Sequence, residues 1–158
     1  MIYFFIILIY MKINKTILNN NHWTTDYIPI SYKKLSKKQF EKSLTFFWDN
    51  NYELNAIIRT YFINNNNIEI GDFWLNENLR GKKINNQKIS YLFLKKIISK
   101  IWKYYPSCNI ITLKVHNHNI PAIKRYESLN FKILKENITN KNLNMNKNGI
   151  LMVRYKKK

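Results

Sequence analysis

The stretch from Asn109 to Phe131 limits what this chain can fold into more than any other part of it. Residues Asn109–Val115 (NIITLKV) are rich in β-branched and apolar side chains and read as a strand. Asn119 follows at once and suits the N-cap of a helix, with Pro121 tolerated in its first turn. Ala122, Tyr126 and Leu129 are spaced along that short helix, and Phe131–Leu134 opens a further strand. A strand, a helix and a strand in such close succession commit this half of the chain to a mixed α/β sheet.

The remaining elements extend that pattern. Two strand-like runs, Asn55–Ile63 and Ile68–Leu75, flank Asn64-Asn65-Asn66-Asn67 and predict a hairpin, in which the asparagines form a turn with no ligand role. After a loop at Asn76–Lys83, a long amphipathic helix is expected over Ile84–Trp102. Ile89, Phe93, Ile97 and Ile101 form its apolar stripe, and Tyr105-Pro106 lies beyond its end. Gly149–Tyr155 reads as a closing strand, joined to Phe131–Leu134 by an Asn-rich loop. Upstream, Ser36 and Gln39 have the spacing of a capping box, with Leu35 and Phe40 as its hydrophobic staple. Phe40, Leu44 and Phe47/Trp48 extend this into a predicted helix ending near Asp49-Asn50-Asn51. The expected order is therefore an N-terminal helix followed by β-β-α-β-α-β-β.

At 158 residues the chain is expected to be a single domain, 1–158, able to bury a substantial core. The single cysteine, Cys108, excludes an intramolecular disulfide framework and fits a reducing, cytoplasmic setting, where it reads as a small buried hydrophobe. With no second thiol, and with His116 and His118 only two residues apart, no zinc spacing is present and no metal is expected. Residues 1–10 (MIYFFIILIY) are apolar but far short of the ~20 needed to span a bilayer, and they lack the flanks of a signal peptide. They read as a first strand or an apolar extension, so no membrane partner is expected.

The formal charge of +18 has two readings. One is an electropositive surface that attracts phosphate on a nucleic acid or an anionic cofactor. The other is compositional bias in a chain saturated with Lys, Asn and Ile. Lysines scattered along the whole length, rather than gathered in one stripe, favour the second. Nucleic acid stays a possible but unexpected partner.

The chemistry concentrates around Arg80-Gly81-Lys82-Lys83-Ile84-Asn85. A basic loop feeding a helix N-terminus suits phosphate, because free N–H groups and the positive dipole end point outward, and Gly81 permits close backbone approach. This loop, followed in order by Asn119, Ala122, Tyr126 and Asn130-Phe131, resembles the GCN5-related N-acetyltransferase (GNAT) superfamily. That superfamily carries R/Q-x-x-G-x-G/A and later N-x-x-A-x-x-x-Y-x-x-x-G-F. The resemblance covers roughly Glu69 to Leu134, with a cofactor-binding core at 68–134. Lys83 and Asn85 stand where the family has glycine or alanine, and Asn130 replaces the later glycine.

The resemblance implies a central mixed β-sheet flanked by helices and splayed between the fourth and fifth strands. It also implies acetyl-CoA as co-substrate and an N-acetyltransferase activity on a small-molecule or peptide amine by direct attack. The alternatives are a non-catalytic member that keeps CoA binding or only the scaffold, or a basic nucleic-acid-binding protein. By the same resemblance, backbone groups of Phe73 and Leu75 bind the pantetheine arm and polarise the thioester. Arg80, Gly81, Lys82, Lys83, Ile84 and Asn85 hold the pyrophosphate, and Asn119 contacts pantetheine. Tyr126 protonates the leaving thiolate, and Glu69 is the first-choice base for the acceptor amine. The alternative readings are a core tyrosine for Tyr126 and an exposed strand carboxylate for Glu69. His116 and His118, just past a strand, are second-choice bases.

Overall fold

The computed structural model describes residues 13–16, 43–50 and 53–157. The apolar run 1–10 and the capping box and staple at 35–40 lie outside the described residues. Among the described residues, nine strands and two α-helices appear in order: β1 Ile13–Thr16, β2 Ser43–Asn50, β3 Glu53–Asn64, β4 Asn67–Leu75, β5 Lys83–Ile84, β6 Gln87–Lys88, α1 Ile89–Tyr104, β7 Ile110–His116, α2 Ile120–Ser128, β8 Lys132–Asn140 and β9 Met145–Tyr155. The architecture is mixed α/β. Seven strands hydrogen-bond in the order β1-β2-β3-β4-β7-β9-β8, and β5-β6 form a separate small ladder. The β4–β7 pair runs parallel, whereas β1–β2, β2–β3, β7–β9 and β8–β9 are antiparallel.

The chain divides into two compact units, Met1–Tyr61 with Asp72–Ile97 and Phe62–Gly71 with Ile98–Lys158. In the first, β2 replaces the second half of the helix expected to end near Asn51. Phe46 and Trp48 are buried two residues apart, a strand period, and the segment pairs with β3 from Ser43↔Tyr61 to Asn50↔Glu53. The aromatic spacing that suggested a helix fits either period over so few residues, and cross-strand pairing decided it. On β3, every residue from Asn55 to Thr60 is buried. Within the same unit, Ile89, Phe93, Leu94 and Ile97 of α1 are buried. The Phe73 ring stacks on Phe93 with centroids 5.8 Å apart.

In the second unit the β3–β4 turn is as expected. Asn64 Oδ1 accepts from the Asn66 amide at 2.9 Å, and Asn66 Oδ1 accepts from Asn109 Nδ2 at 2.9 Å. The core here is built from Ile68, Ile70, Ile111, Leu113, Val115, Met152 and Val153. The β8–β9 hairpin is longer than expected, because the Asn-rich segment contributes strand residues and a single 3-10 turn at Lys141–Leu143. The strand β8 is largely exposed and broken by register shifts, which together with Lys132 and Lys135 blunts a sheet edge. Cys108 is buried, its Sγ donating to the Ile110 carbonyl at 3.2 Å, and burial raises its thiol pKa above the ordinary value.

The parallel β4–β7 ladder runs from Asn67↔Ile110 to Ile70↔Leu113 and stops there, while β4 continues to Leu75 and β7 to His116. Pairing thus ends early between the fourth and fifth strands of the main sheet, where the resemblance implies a splay. Ile68 and Ile70 are buried, and the next fully buried side chain among those described is Leu75, which is out of phase with them.

Candidate active site

In the first unit the expected pyrophosphate loop takes a different form from the one implied. The helix does not start at Ile84 but at Ile89. Between them Lys83↔Lys88 and Ile84↔Gln87 pair as a miniature hairpin whose two central residues, Asn85 and Asn86, both have positive φ (49° and 63°). Such a two-residue turn requires left-handed conformations that only Gly, Asn and Asp adopt readily. Asn85 therefore occupies a backbone conformation that glycine would also favour. The amides of Lys83–Asn86 belong to the hairpin and not to the first turn of a helix. The first-turn amides come from Ile89 onward, and that of Ile89 donates to the Lys82 carbonyl at 3.0 Å. Sequence reasoning missed this, although the Asn-Asn pair and the start of the apolar stripe at Ile89 both signal it.

Arg80 folds back toward its own strand. Its Nε donates to the Leu75 carbonyl at 3.1 Å, and its Nη1 lies 3.6 Å from Glu77 Oε1. The Leu75 carbonyl thus already accepts one bond from within the loop. Gly81 has φ +76° and open space where a Cβ would stand. Lys82 and Lys83 are exposed, whereas Ile84 is buried and anchors the hairpin.

In the second unit the geometry around Asn119 and Tyr126 follows from helix capping. Asn119 is the N-cap of α2, its Oδ1 accepting from the Ala122 amide at 3.3 Å. At the other end, the Phe131 amide bonds the Tyr126 carbonyl at 3.0 Å and the Asn130 amide bonds the Glu127 carbonyl at 2.9 Å. With Asn130 at φ +64°, this is a complete Schellman motif. Its hydrophobic contact is Tyr126 against Phe131, rings edge-to-face at 5.9 Å. Asparagine at 130 is thus conformationally equivalent to the family's glycine. Burial pushes the Tyr126 phenol above its ordinary pKa of 10.0, with Arg125 opposing, so the hydroxyl keeps its proton at neutral pH.

Glu69 is level with Thr112 across the parallel pair and reaches diagonally to Lys114, forming an ion pair with Nζ–Oε2 at 2.6 Å, both side chains mostly enclosed. Glu69 is therefore not the solvated strand carboxylate of its alternative reading. His116 Nε2 sits 3.0 Å from the Leu143 carbonyl, and the exposed His118 lies beside it with ring centroids 5.0 Å apart. Among the described residues no group of His, Cys, Asp and Glu could hold a metal ion. Nor is any described helix long and apolar enough to cross a membrane.

The early end of the parallel ladder, the glycine-containing basic loop and the capped α2 are each features that the resemblance to the acetyltransferase family leads one to expect. The chain belongs to the GNAT family of acetyltransferases, whose family model matches residues 17–131. No curated protein matches it. Solved structures with the same fold include the Campylobacter jejuni N-acetyltransferase PseH in complex with acetyl coenzyme A. That structure is 16% identical at TM-score 0.62, covering 92% of this chain and 99% of that one. A GNAT family acetyltransferase from Elizabethkingia anophelis with acetyl-CoA bound is 18% identical, with TM-score 0.61 and coverage of 91% and 98%. The ribosomal-protein-S18-alanine N-acetyltransferase from Escherichia coli is 21% identical, with TM-score 0.56 and coverage of 75% and 76%.

Proposed function

We propose that this protein is a cytoplasmic N-acetyltransferase that moves the acetyl group of acetyl-CoA to an amine by direct attack. The observation that carries this reading is the early end of the β4–β7 ladder at Ile70↔Leu113. Beyond it the β4 residues Phe73 and Leu75 have no parallel partner, which suits backbone contacts to a pantetheine amide and to the thioester carbonyl, an oxyanion-hole arrangement. The solved relatives that bind acetyl-CoA lend support.

On this reading Arg80, Gly81 and Lys82, with Lys83 and Asn85 of the hairpin, meet the pyrophosphate, and Ile84 anchors them. Asn119 contacts the pantetheine arm with the half of its amide not used in capping. Tyr126 is the acid for the departing thiolate. A phenol held above pKa 10 is a weak acid against a thiol of ~8.5, so transfer costs at least ~2 kcal/mol in equilibrium terms. That is small beside a reaction barrier, and the same burial ensures that the proton is present when needed. For the acceptor's proton the family pattern offers Glu69, which takes it only at the expense of the Lys114 pair. The surplus of positive charge disfavours polyamines and other strongly cationic acceptors through long-range repulsion and leaves neutral or anionic amines.

Thermal melting with acetyl-CoA tests the reading. A ligand bound only by the folded state at a hundredfold excess over Kd stabilises by ~2.7 kcal/mol, which for a chain of this size raises the Tm by about 5–11 °C. A melting curve unmoved by millimolar acetyl-CoA would mean a GNAT scaffold without a working cofactor site.

A further inference from the structure

The strands β4 and β7 share a polar face. Alternation places Asn67, Glu69 and Gly71 on one side of β4, and Thr112, Lys114 and His116 on one side of β7. The contacts agree with this: Thr112 Oγ1 donates to Asn67 Oδ1 at 3.2 Å, and Lys114 Nζ meets Glu69 Oε2 at 2.6 Å. The third polar residue of β7, His116, lies past the last rung of the ladder. Its counterpart in the β4 series is Gly71, which has no side chain to offer.

The imidazole is nonetheless fixed. Its Nε2 lies 3.0 Å from the Leu143 carbonyl, and a carbonyl can only accept, so Nε2 carries the hydrogen. The neutral ring then keeps its lone pair on Nδ1. That nitrogen is buried and has no hydrogen-bond partner among the described residues. A buried acceptor left without a donor is costly unless function uses it. The His116 backbone is fixed as well, pairing with Gly149 of β9.

We infer that His116 Nδ1 is the base that takes the proton from the acceptor amine, while Glu69 stays locked to Lys114. This rests on the acetyl-transfer reading above. The acceptor ammonium gives one proton to Nδ1, forming an imidazolium and a neutral amine. The amine lone pair forms the C–N bond to the thioester carbonyl carbon, the C–S bond breaks, and the nitrogen's excess proton leaves as Tyr126 protonates the thiolate and is itself reprotonated. The imidazolium proton then passes to water. The net products are the acetamide, CoA thiol and one proton. The group recognised at Nδ1 is thus a primary ammonium or amine N–H.

His116→Gln is the discriminating variant. The glutamine amide nitrogen replaces Nε2 and can still donate to the Leu143 carbonyl, while nothing replaces Nδ1. With n-butylamine as probe acceptor and acetyl-CoA, thiol release should fall 10²–10⁴-fold in kcat/KM. The melting shift given by acetyl-CoA should stay at its wild-type size, and free imidazole should restore part of the activity of His116→Ala. Independently of turnover, ¹⁵N spectra of the histidine-labelled wild-type chain should show Nδ1 as the unprotonated nitrogen, its resonance moving when n-butylammonium is added with CoA. The inference is overturned if Nδ1 bears the proton in the neutral ring, if that resonance ignores n-butylammonium, or if His116→Gln turns over within about threefold of wild type, below what a general base contributes. Loss of the acetyl-CoA melting shift in the wild type would instead sink the acetyl-transfer reading itself.

Discussion

Gly149 sits at a crossing of two ladders, paired with His116 of β7 on one side and with Ile138 of β8 on the other. A Cβ built there would lie 2.6 Å from Ile138 Cγ1, 2.7 Å from Met145 Sδ and 3.0 Å from the Ile138 carbonyl oxygen. The methionine sulfur is in a flexible chain and can swing away. Ile138 is β-branched and fixed by its own strand pairing, and its carbonyl moves only if β8 moves. Gly149→Ala therefore overpacks a site that cannot relax fully, a change that typically costs about 1–3 kcal/mol. For a chain of this length the Tm should fall by roughly 2–12 °C in calorimetry or circular dichroism. Adding Ile138→Ala to Gly149→Ala should recover part of the loss, with a coupling of ~0.5–3 kcal/mol between the two positions. An unchanged Tm for Gly149→Ala, or strict additivity in the double variant, would show that the β8–β9 hairpin is not packed as described. Because the same glycine pairs with His116, the variant should also lower acetyl transfer more than its stability loss alone explains.

Two further outcomes follow from the loop and from the buried acids. Asn85→Gly keeps the left-handed turn between β5 and β6, so both the Tm and the melting shift given by acetyl-CoA should be retained, whereas Asn85→Val forces a β-branched residue to φ near 49° and should cost more than ~1 kcal/mol. A weakened shift on Lys83→Gly alone would identify that lysine as a phosphate ligand. Tyr126, Tyr105 and Cys108 all have pKa values raised by burial in the folded chain. Their contribution to stability is full below the unfolded values and is lost as pH rises toward the folded ones, so stability measured by denaturant should fall above about pH 9–10. Tyr126→Phe should flatten part of that decline and lower kcat with little change in the KM for acetyl-CoA.

What the sequence determined by itself was local. The cap at Asn119 and the Asn130-Phe131 stop of α2 are set by contacts within a few residues, so the pattern N-x-x-A-x-x-x-Y-x-x-x-N-F can be read directly from the chain. The β3–β4 turn and the C-terminal end of α1 are equally short-range, whereas the family resemblance was carried by the Arg80–Asn85 loop and the Asn119–Phe131 phrase. Tertiary structure decided the rest. Ser43–Asn50 became a strand because β3 lies alongside to pair with it, and no local signal records that neighbour. The start of α1 at Ile89 is an exception: the Asn85-Asn86 turn that sets it is local and is signalled by the sequence. The candidate chemistry was least legible, since the Glu69–Lys114 pair joins residues 45 apart and the His116–Leu143 contact joins residues 27 apart. Which carboxylate is tied up, and which imidazole nitrogen is left open, depends on where the parallel ladder ends, and sheet register fixes that only once both strands are in place.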